Sequence, residues 1–154
     1  EKIILCEVDH ERITFVKEHY PNVLVVNPKE TDVEEFVREH SRHGGADRVL
    51  EVAGGRNTFE LAWKVARPNA IVTVVAMYEE DQILPLPVMY GKNLTFKTGG
   101  VDGCDCAEIL RLIAAGQLDT TPLITHTFPL EQLQQALDTA LDSKSGSIKV
   151  ILKP

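Results

Sequence analysis

An acidic residue that follows a short apolar run is the feature of this sequence with the clearest chemical meaning. Ile3–Cys6 is uninterrupted apolar sequence, as expected for a strand buried on both faces of a parallel sheet, and Glu7 follows it directly. Glu7 would then lie at the carboxyl edge of the sheet, where open α/β sheets bind ligands. A carboxylate there can accept hydrogen bonds from both hydroxyls of a ribose, which indicates a nucleotide. The alternative is a solvated acid that only ends a strand.

A second candidate lies at a glycine-rich turn. The sequence 47–52 predicts a strand, and Ala53, Gly54 and Gly55 follow it as a turn at which the backbone can approach another group closely. We interpret Asp47 and Glu51, the acids of this strand, as structural residues that cap neighbouring groups.

Cysteine and histidine are the residue types that bind zinc, but their spacing here does not predict a site. Cys104, Cys106 and His126 give a C-x-C pair with one distant histidine, which falls short of the paired C-x-x-C pattern. We therefore expect no metal site and a packed or hydrogen-bonded His126. An odd count of three cysteines, with Cys6 inside a core strand, disfavours a disulfide framework.

Composition limits the possible partners. The chain has 154 residues, with 16 basic and 23 acidic side chains and a net charge of -7, which disfavours binding to nucleic acid and to anionic membranes. It lacks an apolar stretch of about 20 residues and a signal-peptide pattern, so we expect a cytoplasmic protein. The length predicts one domain. Because the chain begins with Glu1 rather than Met, we expect a fragment of a longer protein.

The elements that would position these residues alternate between strands and helices, which predicts an α/β fold with a doubly wound parallel (Rossmann-type) sheet. Predicted strands cover residues 3–7, 23–26, 47–52, 71–77, 94–98, 123–128 and 148–152. The helices between them begin at Glu11, at a capping box of Thr31 with Glu34, at Asn57, at Asp102 or Asp105, and at Pro129.

One apolar segment departs from this alternation. Residues 83–90, from Ile83 to the aromatic Tyr90, contain two prolines, which suit an extended edge strand because they cannot donate ladder hydrogen bonds. An apolar edge of this kind invites a partner chain.

Several stretches together resemble the cofactor domain of the medium-chain, zinc-dependent alcohol and polyol dehydrogenases, over nearly the whole chain. They are Glu7 with Arg12 five residues later, VVNPKE at 25–30, GGADRVLEVAGG at 44–55, YGKNLTFKTGGVDG at 90–103, LDTTPLITHTFPLEQLQQAL at 118–137 and GSIKVIL at 146–152. The set is specific, although no single member is.

The resemblance implies a cofactor and identifies which residues of this sequence occupy the family's ribose-binding positions. In the family, the acid that ends the second strand of the sheet holds the adenosine ribose and a basic residue lies near it, which selects Glu7 with Arg12; Asp9 is the competing choice. An acid here disfavours a 2'-phosphate by repulsion, so NAD is implied rather than NADP. Arg12 keeps NADP open, because an arginine can accommodate that phosphate.

Other family positions carry over one at a time. Val52, Ala53 and Gly54 match the turn over which the two riboses lie in the family. Val75 and Met77 match a segment whose backbone meets the nicotinamide carboxamide on one side, and Gly99 and Val101 match the segment on its other side. Lys149 falls where the family has a cation that reaches the pyrophosphate. Residues 83–90 match the strand through which family members form homodimers, which can assemble further into homotetramers.

Two family features are missing from this sequence. One is the first strand with its glycine-rich, pyrophosphate-binding turn, since no G-x-G-x-x-G occurs. In the family's strand order this strand lies between 3–7 and 47–52, so its loss should leave two unpaired apolar edges. The other is the catalytic domain with its zinc, so zinc is expected only in the parent enzyme and the fragment should be inactive alone.

The resemblance therefore predicts a partial NAD-binding domain, residues 1–154, of an enzyme that oxidises a small alcohol or polyol. Two alternatives belong to other classes: a non-catalytic dinucleotide-binding or assembly module, and a methyltransferase-like domain in which a strand-end acid also holds a ribose.

Overall fold

A computed structural model describes residues 2–99, 105–142 and 144–154. These residues form an α/β fold with parallel strands, which confirms the predicted class. The strands are β1 (Ile3–Cys6), β2 (Val23–Val26), β3 (Ala46–Glu51), β4 (Ala66–Val74), β5 (Thr95–Thr98), β6 (Ile124–Pro129) and β7 (Lys149–Lys153). The helices are α1 (His10–His19), α2 (Val33–His40), α3 (Thr58–Val65), α4 (Leu86–Met89), α5 (Cys106–Ala114) and α6 (Leu133–Leu141).

The chain divides into two compact units, and each is described by itself. The first contains residues 1–8 and 24–104, and the second contains residues 9–23 and 105–154.

A three-stranded parallel sheet, in the order β3-β4-β5, is the centre of the first unit. Val72 of β4 is completely buried, as the long apolar run around it predicts. β4 begins earlier than the predicted 71–77, because Ala66 already pairs with Ala46 of β3. The register then shifts, and this stretch of β4 contains Pro68, which cannot donate a ladder bond, and Asn69 with φ of 62°.

Helix α3 packs on this sheet through its aromatic side chains. Phe59 and Trp63 are buried in one cluster with Met89. Lys92 holds the end of α3, because its Nζ donates to the carbonyl oxygens of Trp63, Lys64 and Ala66 at 3.0, 2.5 and 2.9 Å. A cation at a helix C-terminus satisfies carbonyls that have no partner inside the helix.

β1 and β2 form a separate two-stranded sheet. Val33 and Val37 of helix α2 form a buried cluster with Val26 of β2, and Ile4 of β1 and Leu61 of α3 pack against this cluster. Among the described strands, β1 pairs only with β2 and β3 pairs only with β4, so each has one unpaired edge. Leu50 of β3 is 68% exposed. This is the pair of open edges expected from the family's strand order.

In the second unit, β6 and β7 pair in parallel and α6 packs on them. Ala136 of α6 is buried, and neither α1 nor α5 buries a residue. Asp105 caps α5 and its side chain accepts from the amide of Glu108; Asp102, the other predicted cap, lies outside the described residues. Gly116, with φ of 67°, follows the end of this helix in the left-handed conformation that glycine adopts at helix C-termini.

The capping box predicted at Thr31 is wrong by one residue. Asp32 is the cap of α2, and its side chain accepts from the amide of Glu35 at 3.1 Å. Thr31 belongs to the preceding turn, because its amide donates to the carbonyl of Asn27.

The edge strand predicted for residues 83–90 is also wrong. Within it, α4 spans Leu86–Met89, and Tyr90 begins a single 3₁₀ turn. Pro85 and Pro87 occupy the start of α4, where a missing N–H has no helical partner to lose. Ile83 and Tyr90 are exposed, while Met89 is buried.

In the described part of the chain, no helix is long and apolar enough to span a bilayer.

Candidate functional site

The carboxyl ends of β3, β4 and β5 meet at one edge of the sheet. Glu51 pairs with Val74, and Val74 with Thr98, so the residues that follow each strand lie side by side. The amide of Val75 donates to the carbonyl of Glu51 at 2.8 Å, and that of Gly99 to the carbonyl of Val74 at 3.0 Å. We call this place the β3–β5 edge. Six of the residues predicted to bind the cofactor lie together there: Val52, Ala53, Gly54, Val75, Met77 and Gly99.

Gly54 lies where no larger residue fits without strain. Its φ is 63°, in the left-handed region, and a Cβ added there would lie 3.0 Å from the carbonyl oxygen of Met77 and 3.3 Å from the Cβ of Ala76. The turn after β3 is therefore packed directly against the segment after β4. This is the close backbone approach predicted at the glycine turn, although the neighbour seen is the chain itself.

Apolar side chains at the β3–β5 edge are open to solvent. Val52 is 63% and Met77 94% exposed, and Val75 is about half exposed. An exposed apolar patch at the carboxyl edge of a parallel sheet is typical of a ligand-binding surface. It offers van der Waals contact to a flat ring or a sugar.

Glu51, the last residue of β3, lies under this edge of the sheet and is only 4% exposed. Its Oε1 accepts from the amides of Ala53 and Gly54, both at 3.0 Å, so the structure confirms it as a residue that caps its neighbours. Its Oε2 is buried without a hydrogen bond of normal geometry. The hydroxyls of Thr58 and Tyr78 lie beside this carboxylate, 2.9 Å from each other.

These neighbours set the ionisation of the cluster. Burial raises the pKa of Glu51, but the hydroxyls of Thr58 and Tyr78 beside the carboxylate and the amide hydrogen bonds from Gly54 and Ala53 outweigh burial, so the net pKa lies below its ordinary value. Burial is also the main reason that the pKa of Tyr78 is raised. Glu51 is thus a buried carboxylate. Sequence reasoning missed its link to Thr58 and Tyr78; the signal available was a charged residue between apolar neighbours in VLEV.

Glu7 lies where the sequence places it, directly after β1. Its amide donates to the carbonyl of Val26 in β2 at 3.1 Å, and its own carboxylate accepts from the amide of Val8 at 2.7 Å. Asp9, the competing residue, is the N-cap of α1 and accepts from the amide of Arg12 at 3.0 Å. The cap gives Asp9 a structural task, and the assignment of the ribose to Glu7 stays a prediction.

Arg12 and Lys149 belong to the second unit. Arg12 lines a cleft of about 220 Å³ with Asp9, Glu11 and Asp142. Lys149 is the exposed first residue of β7, paired with Ile124. Their assignments stay predictions, as does that of Val101, which lies outside the described residues.

Nothing in the described part of the chain fits a metal ion. No three His, Cys, Asp or Glu side chains there are close enough to hold one. His126 stacks on Phe128 with its Nδ1 3.0 Å from the hydroxyl of Thr125, as expected for a packed, hydrogen-bonded histidine. Cys104 lies outside the described residues.

Known proteins place the chain in a family. Residues 2–115 match the family described as zinc-binding dehydrogenase. L-threonine 3-dehydrogenase of Symbiobacterium thermophilum is 29% identical to the chain over 158 residues, which cover 100% of this chain and 44% of that protein.

Two solved structures share the fold. Alcohol dehydrogenase TADH from Thermus sp. ATN1 matches with a TM-score of 0.88 at 26% identity, over 99% of this chain and 43% of that one. A short chain alcohol dehydrogenase from E. coli CFT073, complexed with cofactor NADH, matches with a TM-score of 0.88 over 100% of this chain and 45% of that one; at 19% identity it shows the fold alone.

The chain thus spans less than half the length of the relatives that it matches. The family match covers well over half of the chain and confirms the resemblance drawn from its motifs. The chain belongs to the zinc-binding dehydrogenase family.

Proposed function

We propose that this chain is the nicotinamide-cofactor-binding part of an oxidoreductase that oxidises an alcohol or polyol to an aldehyde or ketone with NAD. The observation that carries the proposal is the β3–β5 edge, where six residues of the predicted cofactor site lie together. Supporting it, the similar proteins named above are an L-threonine dehydrogenase and alcohol dehydrogenases, one of them complexed with NADH.

The reaction requires a hydride acceptor held in a fixed orientation. Oxidation of an alcohol removes a hydride from carbon and a proton from oxygen, and NAD⁺ takes the hydride to become NADH. The residues of this chain bind and orient the cofactor and do not take part in bond making. Alone, the chain would not carry out the reaction.

Each group of residues has a part of the cofactor to hold. Glu7 would accept hydrogen bonds from the adenosine ribose, and Val52, Ala53 and Gly54 would lie under the riboses. The backbone at Val75, Met77, Gly99 and Val101 would meet the nicotinamide carboxamide. Arg12 would lie near the adenosine ribose, and Lys149 would reach the pyrophosphate.

Charge favours NAD over NADP in this proposal. Glu7 would repel a 2'-phosphate, and Arg12 shares its cleft with the acids Asp9, Glu11 and Asp142. Those carboxylates offset the positive charge that could otherwise accommodate the phosphate. A cytoplasmic setting belongs to the same proposal.

The unpaired edges of β1 and β3 fit a further strand in the whole protein. We assign this place to the family's first strand, whose glycine-rich turn would hold the pyrophosphate. For the oligomer, we propose that two copies, which can pair again into a tetramer, meet through the exposed apolar side chains between Ile83 and Tyr90. Because α4 lies in this segment, the contact would use side chains and not a strand ladder.

Calorimetry tests the proposed cofactor. NADH, NADPH and S-adenosylmethionine are titrated in turn into wild-type chain, a Glu7→Gln variant and a Glu35→Gln control. Glu35 is an exposed acid on α2, paired with Arg38. We expect NADH to bind more tightly than NADPH, and Glu7→Gln but not Glu35→Gln to weaken NADH by about tenfold, one charge-assisted hydrogen bond. Heat from S-adenosylmethionine but none from NADH would contradict the proposal.

A further inference from the structure

Glu51 connects the two chain segments to which the cofactor is assigned. Its side chain accepts from the amides of Ala53 and Gly54 after β3. Its main-chain carbonyl accepts from the amides of Val75 and Ala76 after β4, at 2.8 and 3.2 Å. One residue thus fixes the position of four backbone amides on two neighbouring segments.

The manner in which Glu51 is buried argues against a role in stability alone. A buried carboxylate oxygen without a hydrogen bond is costly, and native structures contain few such atoms. Oε2 of Glu51 is such an atom by normal hydrogen-bond geometry, the one identified among the described residues, and its polar neighbours are the hydroxyls of Thr58 and Tyr78. Costly local arrangements that are retained in a fold cluster at functional sites.

The hydrogen bonds of Glu51 also determine which part of a dinucleotide the turn suits. Backbone N–H groups in a turn can bind phosphate when they point at the ligand. Here the N–H groups of Ala53 and Gly54 are already bonded to a carboxylate, and that carboxylate carries negative charge. The turn therefore disfavours phosphate and leaves its place to an uncharged, hydroxyl-bearing sugar.

We propose that Glu51 is a positioning residue that holds the turn at Ala53 and Gly54 against the end of β4. As a result, the β3–β5 edge binds a ribose and not a phosphate. This inference rests on the proposed function, because it presupposes that a dinucleotide binds at this edge.

The variants separate positioning from general stability. Glu51→Ala removes the acceptor, and Glu51→Asp keeps the charge but shortens the side chain by one methylene. Glu51→Gln keeps an acceptor oxygen at the same reach. Val49→Ala is the matched control, because Val49 lies two residues earlier on β3 and packs on the core.

Hydrogen exchange measured by NMR on the free chain tests the turn. In Glu51→Ala and Glu51→Asp, we expect the amides of Ala53 and Gly54 to exchange about tenfold faster or more, while those of β3 change by less than about twofold. Glu51→Gln should restore protection. Unchanged protection at Ala53 and Gly54 in Glu51→Asp would overturn the inference, and this variant decides it if Glu51→Ala does not fold.

Affinity for NADH tests the consequence. We expect the dissociation constant to rise about tenfold in Glu51→Asp, and to stay within about threefold in Glu51→Gln and Val49→Ala. A Glu51→Asp variant that binds NADH like Val49→Ala would overturn the inference while the proposed function stands. A wild-type chain with no affinity for NADH would overturn both, and the exchange data would show whether the turn is held as described.

Discussion

Two buried polar residues end strands in the first unit, and they are held in different ways. Asn27 follows β2 and is 8% exposed; Glu51 ends β3 and is 4% exposed. Each main-chain carbonyl accepts two amides. The side chain and the carbonyl of Asn27 bond to residues 29–31, including a 2.8 Å bond from its Nδ2 to Oε1 of Glu30. The main-chain carbonyl of Glu51 instead accepts from Val75 and Ala76, which follow the next strand, and one of its side-chain oxygens has no hydrogen bond of normal geometry.

The difference shows how a buried polar group can serve stability or function. The Asn27 amide both donates and accepts, so the turn after β2 closes on itself with its buried polar atoms satisfied. Glu51 instead bears a desolvation cost while it joins two segments at an exposed apolar edge. The first arrangement ends a strand, and the second holds a surface in place. Substitutions at the two turns should therefore divide between stability and cofactor affinity.

The largest expected loss of stability is at Asn27. Asn27→Ala removes both side-chain hydrogen bonds of a buried residue, each with a typical net contribution of about 1 kcal/mol, which should lower the free energy of unfolding by about 2 kcal/mol. Urea denaturation measures this change. NADH affinity should stay within about twofold of wild type, since the turn after β2 is not assigned to the cofactor. If Asn27→Ala raised the Kd for NADH as much as Glu51→Asp does, the two turns would not differ in the way described.

Gly54→Ala should cost stability and affinity together. The left-handed φ and the contact of the new Cβ with the carbonyl of Met77 should destabilise the fold by about 1–2 kcal/mol and displace the turn, so that NADH binds at least about tenfold more weakly. Gly91→Ala is the control, because a Cβ at Gly91 meets nothing within 4 Å. Melting curves and NADH titrations measure both effects. Equal behaviour of the two alanine variants would show that the close approach at Gly54 is unimportant.

The dependence of stability on pH should identify Glu51 as an ionised residue. Because the pKa of Glu51 is lower in the folded state, ionisation stabilises the fold above the unfolded pKa, about 4.3, and this contribution is lost as pH falls through the lower folded pKa. The difference in unfolding free energy between wild type and Glu51→Gln should therefore shrink on acidification from pH 6. Val49→Ala should run parallel to wild type. A difference that grows as pH falls would mean that burial raises the pKa instead.

Tyr78→Phe should give the smallest effect. It removes one hydroxyl beside Glu51 and Thr58 and should cost about 1 kcal/mol, a typical net contribution of one hydrogen bond. NADH affinity should change by less than about threefold, because Ala53 and Gly54 keep their acceptor. Thermal melts and the same titrations measure these values. A loss of NADH affinity as large as that of Glu51→Asp would mean that the hydroxyls of Tyr78 and Thr58, and not Glu51, position the turn.

Much of the fold could be predicted from the sequence, because apolar runs and capping residues are local signals. The strand at residues 23–26, for example, was predicted with its observed bounds. The ambiguous places were those where two assignments satisfy the same rule. Thr31 with Glu34 and Asp32 with Glu35 have the same capping-box spacing, and hydrogen bonding of Thr31 to Asn27 selects the second.

The prolines of residues 83–90 show the same ambiguity. They suit an edge strand or the first turn of a helix equally well, and burial of Met89 is a tertiary effect that periodicity does not report.

The candidate site was predictable where residues follow strands. Six residues reach the β3–β5 edge because parallel strands end together, which strand order alone dictates. The cluster of Glu51, Thr58 and Tyr78 was not predictable, because Tyr78 lies 27 residues after Glu51 and no spacing rule joins them. The sequence therefore located the surface, and only the structure showed what holds it.

The most direct test of the account is to map NADH on the folded chain by amide chemical shifts. The account predicts that NADH shifts the amides of Glu7, Val52, Ala53, Gly54, Val75, Met77 and Gly99, while those on the outer face of α2 stay unchanged. Shifts confined to residues 83–90, or none at saturating NADH, would contradict it.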